Sequence, residues 1–147
     1  MNYDKPLLAM LIGIIVVIPL EIMGLFFRHL RWITITPGEA CSMMFMPEGS
    51  WTLGLLALPL VGALAILILY YLTKTIGTDY LPIKGALVGM CTYSFIFTVF
   101  GTLSKNHSML QGTLGNYIFA LSSGFAGFLA GILMKKFLFK PSQQVKD

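Results

Sequence analysis

The chain has 147 residues, of which 56% are hydrophobic and 11% are charged. In ordinary soluble domains about a quarter of the residues are charged, so this composition excludes a typical water-soluble fold. The formal net charge of +4 does not indicate nucleic-acid binding. The basic residues lie at the ends of apolar segments and are not interleaved with stacking aromatic residues.

Four apolar segments follow one another, at about residues 7–27, 51–72, 83–103 and 116–134. A helix of this length rises about 30 Å, which is the hydrocarbon thickness of a bilayer. The connections after the second and third segments are short, which favours antiparallel neighbours. The sequence therefore predicts one all-α membrane domain over residues 1–147, an antiparallel bundle of four transmembrane helices.

The distribution of lysine and arginine predicts the orientation of this bundle. Seven of the ten basic residues lie in the N-terminus, the second connection and the C-terminal tail, and three lie on the opposite side. Cytoplasmic segments of membrane proteins accumulate positive charge. We therefore expect a multi-pass protein of the cell (cytoplasmic) membrane with both termini in the cytoplasm and the long first loop outside.

Small residues repeat at four-residue spacing in the last two spans. They are Gly85 and Gly89 in the third span, and Ser123, Gly127 and Gly131 in the fourth. Such spacing places small residues on one helix face, where another helix can approach closely. The pattern predicts a close helix contact, either within one chain or between two copies.

The first outside loop contains the signature of a short helix at residues 37–46. Thr36 is a good N-cap, Pro37 suits the first helical position, and Glu39 can reach back to the cap. A helix of this kind between two spans is expected to lie at the membrane interface, where it covers the lipid surface or caps the outer mouth of the bundle.

This loop also carries a group of sulfur-containing residues, Cys41, Met43, Met44 and Met46. Methionines can form an adaptable docking surface, and with a cysteine they can bind a thiophilic metal such as Cu(I). Packing is favoured over metal binding because no histidine lies among them and the methionines do not form a repeated Met-x-x-Met array, the one such spacing being Met43 to Met46. We expect Cys41 to react with a membrane-impermeant thiol reagent and Cys91, inside the third span, to be protected.

Glu21 is the one ionisable residue inside the first span, which makes it a functional candidate. Counting from the outer ends of the spans places Thr98, Ser122 and neighbouring Ser123 near the depth of Glu21. The sequence predicts an intramembrane polar cluster of these four residues.

Two interpretations of Glu21 remain open. In the first, it is a structural hydrogen-bonding group or extends outward to water from its shallow position. In the second, it takes part in proton or cation handling, which usually requires a second ionisable site at another depth. Pro59 in the second span leaves the carbonyl of Leu55 without its helical donor and predicts a bend or a cavity near this level. Arg28, two turns further along the first helix, is a possible ionic partner.

The layout resembles the YqhR-like conserved membrane proteins of spore-forming Firmicutes. The resemblance lies in Thr36-Pro37 before the short helix, Gly49-Ser50-Trp51 at the second span, and Pro82 to Gly85 before the third. It implies the four-span topology and the outside helix. Because that family has no established chemistry, it implies no activity.

No cofactor motif, nucleophile motif, phosphate-binding loop or metal-ligand cluster is visible in the sequence. We therefore expect a non-enzymatic protein without cofactor or metal. Its predicted role is that of a structural or accessory component that contacts membrane lipid and either further copies of itself or a larger membrane complex. The alternatives are a transporter or channel subunit that uses Glu21 and, less favoured, an enzyme accessory subunit that holds lipid or quinone under the outside helix.

Overall fold

The computed structural model describes residues 4–101 and 111–139, and every element in them is helical. This confirms the predicted fold class of four long apolar helices with a short helix in the first loop. The elements are α1 (Lys5–His29), α2 (Pro37–Ser42), α3 (Trp51–Ile76), α4 (Leu81–Phe95, continued by a π-helical turn, Ile96–Phe100) and α5 (Thr113–Phe137).

The four long helices are apolar enough and long enough to cross a bilayer, and the protein is a multi-pass membrane protein. Large hydrophobic side chains are exposed on all of them, as expected for helices that face lipid. In the most apolar window of each helix, 44% of residues are buried in α1, α3 and α5, but only 11% in α4. The helix α4 is therefore the least covered of the four. The end of the third predicted span, residues 102–103, lies outside the described residues.

The bundle consists of two helix pairs. The helices α1 and α3 pack on each other, α4 and α5 pack on each other, and α1 joins the pairs by packing on α5. By comparison, α3 and α4 make few contacts although they are consecutive in the chain. A tight turn connects them, with Gly77 and Tyr80 in the left-handed region at φ 77° and 52°.

The pair α4–α5 meets along the predicted small-residue face, within one chain. A Cβ atom added at Gly127 would overlap the carbonyl oxygen of Gly85 and lie 3.2 Å from Cα of Gly89. A Cβ at Gly131 would lie 2.5 Å from the carbonyl oxygen of Leu81. The two backbones therefore approach so closely that any larger side chain would separate them.

The pair α1–α3 has a comparable contact that the spacing argument missed. A Cβ at Gly62 would lie 2.5 Å from Cγ1 of Val17 and 2.7 Å from the carbonyl oxygen of Gly13. Gly62 has no small residue four positions away, and Gly13 has only Ala9, so neither shows the repeated glycine spacing of the last two spans.

Beyond the helices, the first loop is tied to the segment before α5 by Gln111, which is 8% exposed. Its Oε1 accepts from the Thr34 backbone N–H at 3.1 Å, and its Nε2 donates to Thr34 Oγ1 at 2.8 Å. Because Gln111 is buried, these bonds satisfy polar atoms that water does not reach.

Thr34→Val should lower the free energy of unfolding by about 1 kcal/mol, because the buried amide of Gln111 would lose its hydroxyl partner. Denaturant titration in detergent micelles measures this change. Thr75→Val is the matched control, since the Thr75 hydroxyl is exposed and bonds only the Leu72 carbonyl of its own helix. Equal effects of the two substitutions would contradict the assigned role of Gln111.

Candidate functional site

The helix α2 is built by the predicted capping box. The Glu39 backbone N–H donates to Thr36 Oγ1 at 3.3 Å, and the Thr36 N–H donates to Glu39 Oε2 at 2.9 Å. These reciprocal bonds satisfy two donors that the start of a helix otherwise leaves free. The box fixes where α2 begins, at Pro37.

The end of α2 differs from the prediction of residues 37–46, since the helix stops at Ser42. The Ser42 hydroxyl donates to the Glu39 carbonyl at 2.7 Å and accepts from the Ser50 backbone N–H at 2.8 Å. This second bond draws the following chain back toward α3, so residues 43–46 form turns instead of a continued helix.

Glycines allow α2 to pack deep between α1 and α3. A Cβ at Gly54 of α3 would lie 2.5 Å from the backbone carbonyl of Gly38, and a Cβ at Gly24 of α1 would overlap the Pro37 ring. The helix therefore caps the mouth of the bundle, which was one of the two predicted placements, and all its residues except Glu39 are buried.

This burial corrects the prediction that Cys41, Met43, Met44 and Met46 share an accessible loop surface. Cys41 is 5% and Met43 is 7% exposed, Met44 is half-buried, and Met46 is 38% exposed. The expected reactivity of Cys41 is wrong as well, because Cys41 is buried; Cys91 is exposed on the surface of the spanning helix α4, so its predicted protection from a membrane-impermeant reagent stays a prediction. The sequence pattern gave no sign that α2 would pack with its cysteine side inward.

Burial, with a smaller contribution from the nearby Glu21 carboxylate, raises the pKa of the Cys41 thiol to about 12. Both causes disfavour the negatively charged thiolate. Since the thiolate is the nucleophile and the metal ligand, Cys41 is a packing residue at neutral pH.

The carboxylate of Glu21 binds the backbone of α2. Its Oε2 accepts the Gly38 backbone N–H at 2.7 Å. Its Oε1 is buried and has no hydrogen-bond partner among the described residues. One oxygen of Glu21 therefore holds α2 in the mouth of the bundle, and the other is enclosed by the protein.

The predicted polar cluster around Glu21 does not assemble as expected. Ser122 is buried on α5, Ser123 lines a cavity at the centre of the bundle, and Thr98 is exposed on the π-helical turn. Among the described residues, no hydrogen bond joins these hydroxyls to Glu21. The Gly38 N–H, which no sequence pattern marks, supplies the partner instead.

Arg28 pairs with Glu39 and not with Glu21. The Arg28 Nη1 atom lies 2.7 Å from Glu39 Oε1, with the two side chains 46% and 13% exposed. This ion pair links the end of α1 to α2 across the partly exposed side of the mouth. The Arg28 guanidinium is thereby committed to Glu39.

Two cavities lie near this site. The central one, of about 80 Å³, has mostly apolar walls from all four long helices, and Pro37 and Cys41 of α2 contribute to its lining. Glu21 does not line it. The second, of about 180 Å³, lies between α1 and α3 beside Pro59, where a cavity was predicted. We call it the Glu21 groove, and its lining consists of Val17, Ile18, Glu21, Ile22, Gly54, Leu55, Leu58 and Pro59.

The Glu21 groove has a buried floor and an exposed rim. Leu58 on its floor is 6% exposed, whereas Ile18, Ile22 and Leu55 on its rim are 57%, 61% and 50% exposed. Glu21 therefore lines an apolar groove that opens to the surface of the bundle, while its unpaired oxygen is buried. Among residues 4–101 and 111–139, no group of three metal-ligating side chains is present.

Comparison of the chain with known protein families, with curated proteins and with solved structures finds no match to any of them.

Proposed function

We propose that this membrane protein is a non-enzymatic accessory component of a larger membrane assembly. The observation that supports the proposal most strongly is the position of Glu21, which lines a groove on the bundle surface and has one buried oxygen without a hydrogen-bond partner among the described residues. The central cavity has mostly apolar walls and Glu21 does not line it, so residues 4–101 and 111–139 show no polar route past Glu21 through this cavity. An ionisable residue inside a span is by default a candidate for a functional contact.

The proposal includes an orientation. The bias of lysine and arginine toward the termini and the second connection favours a cytoplasmic position of both ends, which would place α2 on the outer face. Membership in the YqhR-like group would agree with this topology.

A second candidate function follows from the same outward position of Glu21. Several copies packed side by side could place their Glu21 carboxylates around a shared path, as in a transporter or channel subunit. This alternative requires a homo-oligomer, and accessory function in a larger complex requires a different protein.

The mass of the intact complex separates these two functions. The chain, with a mass of 16.2 kDa, is extracted from its native membrane in polymer nanodiscs and measured by native mass spectrometry. We expect a complex that contains a different, identifiable subunit. Complexes of this chain alone, together with a proton or cation flux in liposomes that Glu21→Gln abolishes, would contradict accessory function and support transport.

A further inference from the structure

We propose that the central cavity binds the end of an acyl chain of a membrane lipid, which enters from the bilayer between α3 and α4. The cavity has a volume of about 80 Å³, and its mostly apolar walls come from all four long helices. Ligand pockets in proteins are mostly apolar, and many of them lie between the helices of bundles. Binding of a lipid chain needs no second protein, so this site is independent of the proposed accessory function.

The exposure of the lining residues shows where the cavity opens. The lining residues of α1 are all buried, and those of α5 are buried apart from Ser123. Half-buried lining residues lie on α3 and α4, and they include Val61, Ala65, Thr92 and Phe97. These two helices also make few contacts with each other. The cavity therefore opens through the gap between α3 and α4.

This gap lies at the level of the acyl chains. Ala65 is eleven residues before Ile76, the last residue of α3, and Thr92 is eleven residues after Leu81, the first residue of α4. Because a tight turn joins these two helix ends, Ala65 and Thr92 lie at the same level, about 17 Å along the helices from that turn. The hydrocarbon core of a bilayer is about 30 Å thick, so the opening meets the middle of the lipid chains and not their headgroups.

The chemistry of the walls suits an alkyl chain better than a polar ligand. The Thr92 hydroxyl donates to the Val88 carbonyl at 2.8 Å, and the Tyr93 hydroxyl donates to Asn116 Oδ1 at 2.7 Å. Both hydroxyl protons are thus used inside the protein. An alkyl chain requires no hydrogen bond, and its dispersion contacts with the walls stabilise it there.

The volume of the cavity limits how much of a chain it holds. A methylene group is about as large as a water molecule, which takes about 30 Å³ in the liquid, so the cavity accommodates roughly three such groups. A helix, with a diameter of about 10–12 Å, is too wide to enter. The end of an acyl chain therefore fits, with the rest of the chain in the gap between α3 and α4 and in the bilayer.

The two longer segments outside the described ranges do not suit this cavity. Residues 102–110 include Lys105 and His107, and residues 140–147 include Lys140. Burial of such side chains against apolar walls is unfavourable unless they find partners. A lipid chain carries no such cost.

The experiment is photolabelling in vesicles of defined composition. The purified protein is reconstituted in phosphatidylglycerol that carries a diazirine at the end of one acyl chain, and the labelled residues are identified by mass spectrometry. Bulk lipid labels exposed residues, so the informative positions are Phe119 and Ala126, which line the cavity and are 2% and 6% exposed. We expect label at one or both of them. Leu69 and Ala130 should stay unlabelled, because they are fully buried and do not line the cavity.

Ala65→Phe should close the opening, because it places a large side chain in the gap between α3 and α4. It should lower the labelling of Phe119 and Ala126 by about tenfold. Leu64→Phe is the matched control, since it adds the same ring at the neighbouring position, which is 57% exposed and does not line the cavity. It should leave the labelling unchanged, and thermal unfolding checks that both variants are folded.

A second lipid tests the proposal without any substitution. With the diazirine placed on the chain next to the headgroup, the label at Phe119 and Ala126 should disappear, because that part of the lipid does not reach the middle of the bilayer.

Absence of label at both Phe119 and Ala126 in the unaltered protein would overturn the proposal, as would equal labelling in folded Ala65→Phe and Leu64→Phe proteins. Equal labelling by the two diazirine lipids would contradict entry at the level of the acyl chains. An isoprenoid quinone that removes the label at a few mole per cent would assign the cavity to a different apolar ligand and so overturn the proposal too. The subunit composition found by native mass spectrometry affects none of these outcomes, so failure of this site and failure of accessory function are distinguished.

Discussion

Gly127→Leu should prevent α4 and α5 from packing, and even Gly127→Ala should lower the free energy of unfolding by about 2 kcal/mol. The reason is backbone contact, because a Cβ at Gly127 would overlap the Gly85 carbonyl oxygen and lie 2.8 Å from its carbon. Backbone atoms cannot rotate away as the end of a flexible side chain can, so the helices themselves would have to separate. Denaturant titration of the purified protein in micelles measures the change.

Gly101→Ala provides the control for this prediction. Gly101 is helical, and a Cβ there meets no described atom within 4 Å. Alanine should therefore stabilise the helix by about 0.5–1 kcal/mol, since glycine loses more backbone freedom on folding. A Gly127→Ala protein as stable as the Gly101→Ala protein would show that α4 and α5 do not approach as closely as described.

The docking of α2 should make Cys41 almost inert toward thiol reagents. In a Cys91→Ala background, alkylation of Cys41 at pH 8 should be about 1,000-fold slower than alkylation of a thiol of ordinary pKa. This factor comes from the thiolate fraction alone, and steric protection of the buried side chain would slow the reaction further. With the pKa of Cys41 raised to about 12, the reactive thiolate fraction stays small and rises about tenfold per pH unit below that value. The rate is measured by the mass shift of the intact protein.

Gly54→Ala should release this protection. A Cβ at Gly54 would lie 2.5 Å from the Gly38 carbonyl, so α2 would move out of the mouth, and Cys41 should react about tenfold faster or more as its desolvation is relieved. Gly112→Ala is the control, because its Cβ meets no described atom within 4 Å. A Cys41 that reacts rapidly in the unaltered protein would contradict the buried position of α2.

The elements that depend on local sequence were predictable. The length of each apolar segment identified four spans, because a bilayer sets a minimum helix length. The Thr36, Pro37 and Glu39 pattern located the start of α2, because capping depends on residues three positions apart. In the same way, the four-residue spacing marked the face on which Gly85 and Gly127 lie.

Contacts between distant segments were not predictable. Gly24 and Gly54 receive α2, but they lie 30 positions apart, and no spacing rule relates one to the other. Glu21 was identified as a candidate, yet its observed partner is the backbone N–H of Gly38, a group that every residue except proline carries. The burial of Cys41 follows from this docking and could not be read from its apolar neighbours.

The sparse contact between α3 and α4 has a mechanical consequence. The pair α1–α3 is held by the contact of Gly13 with Gly62, and the pair α4–α5 by the contact of Gly85 with Gly127. The two pairs form the two halves of the molecule, which are joined where α1 packs on α5. A rigid-body shift of one half against the other would thus widen or narrow the gap between α3 and α4 while both glycine contacts stay intact. Residues of both α3 and α4 line the central cavity. A shift of one half against the other would therefore change the volume of this cavity.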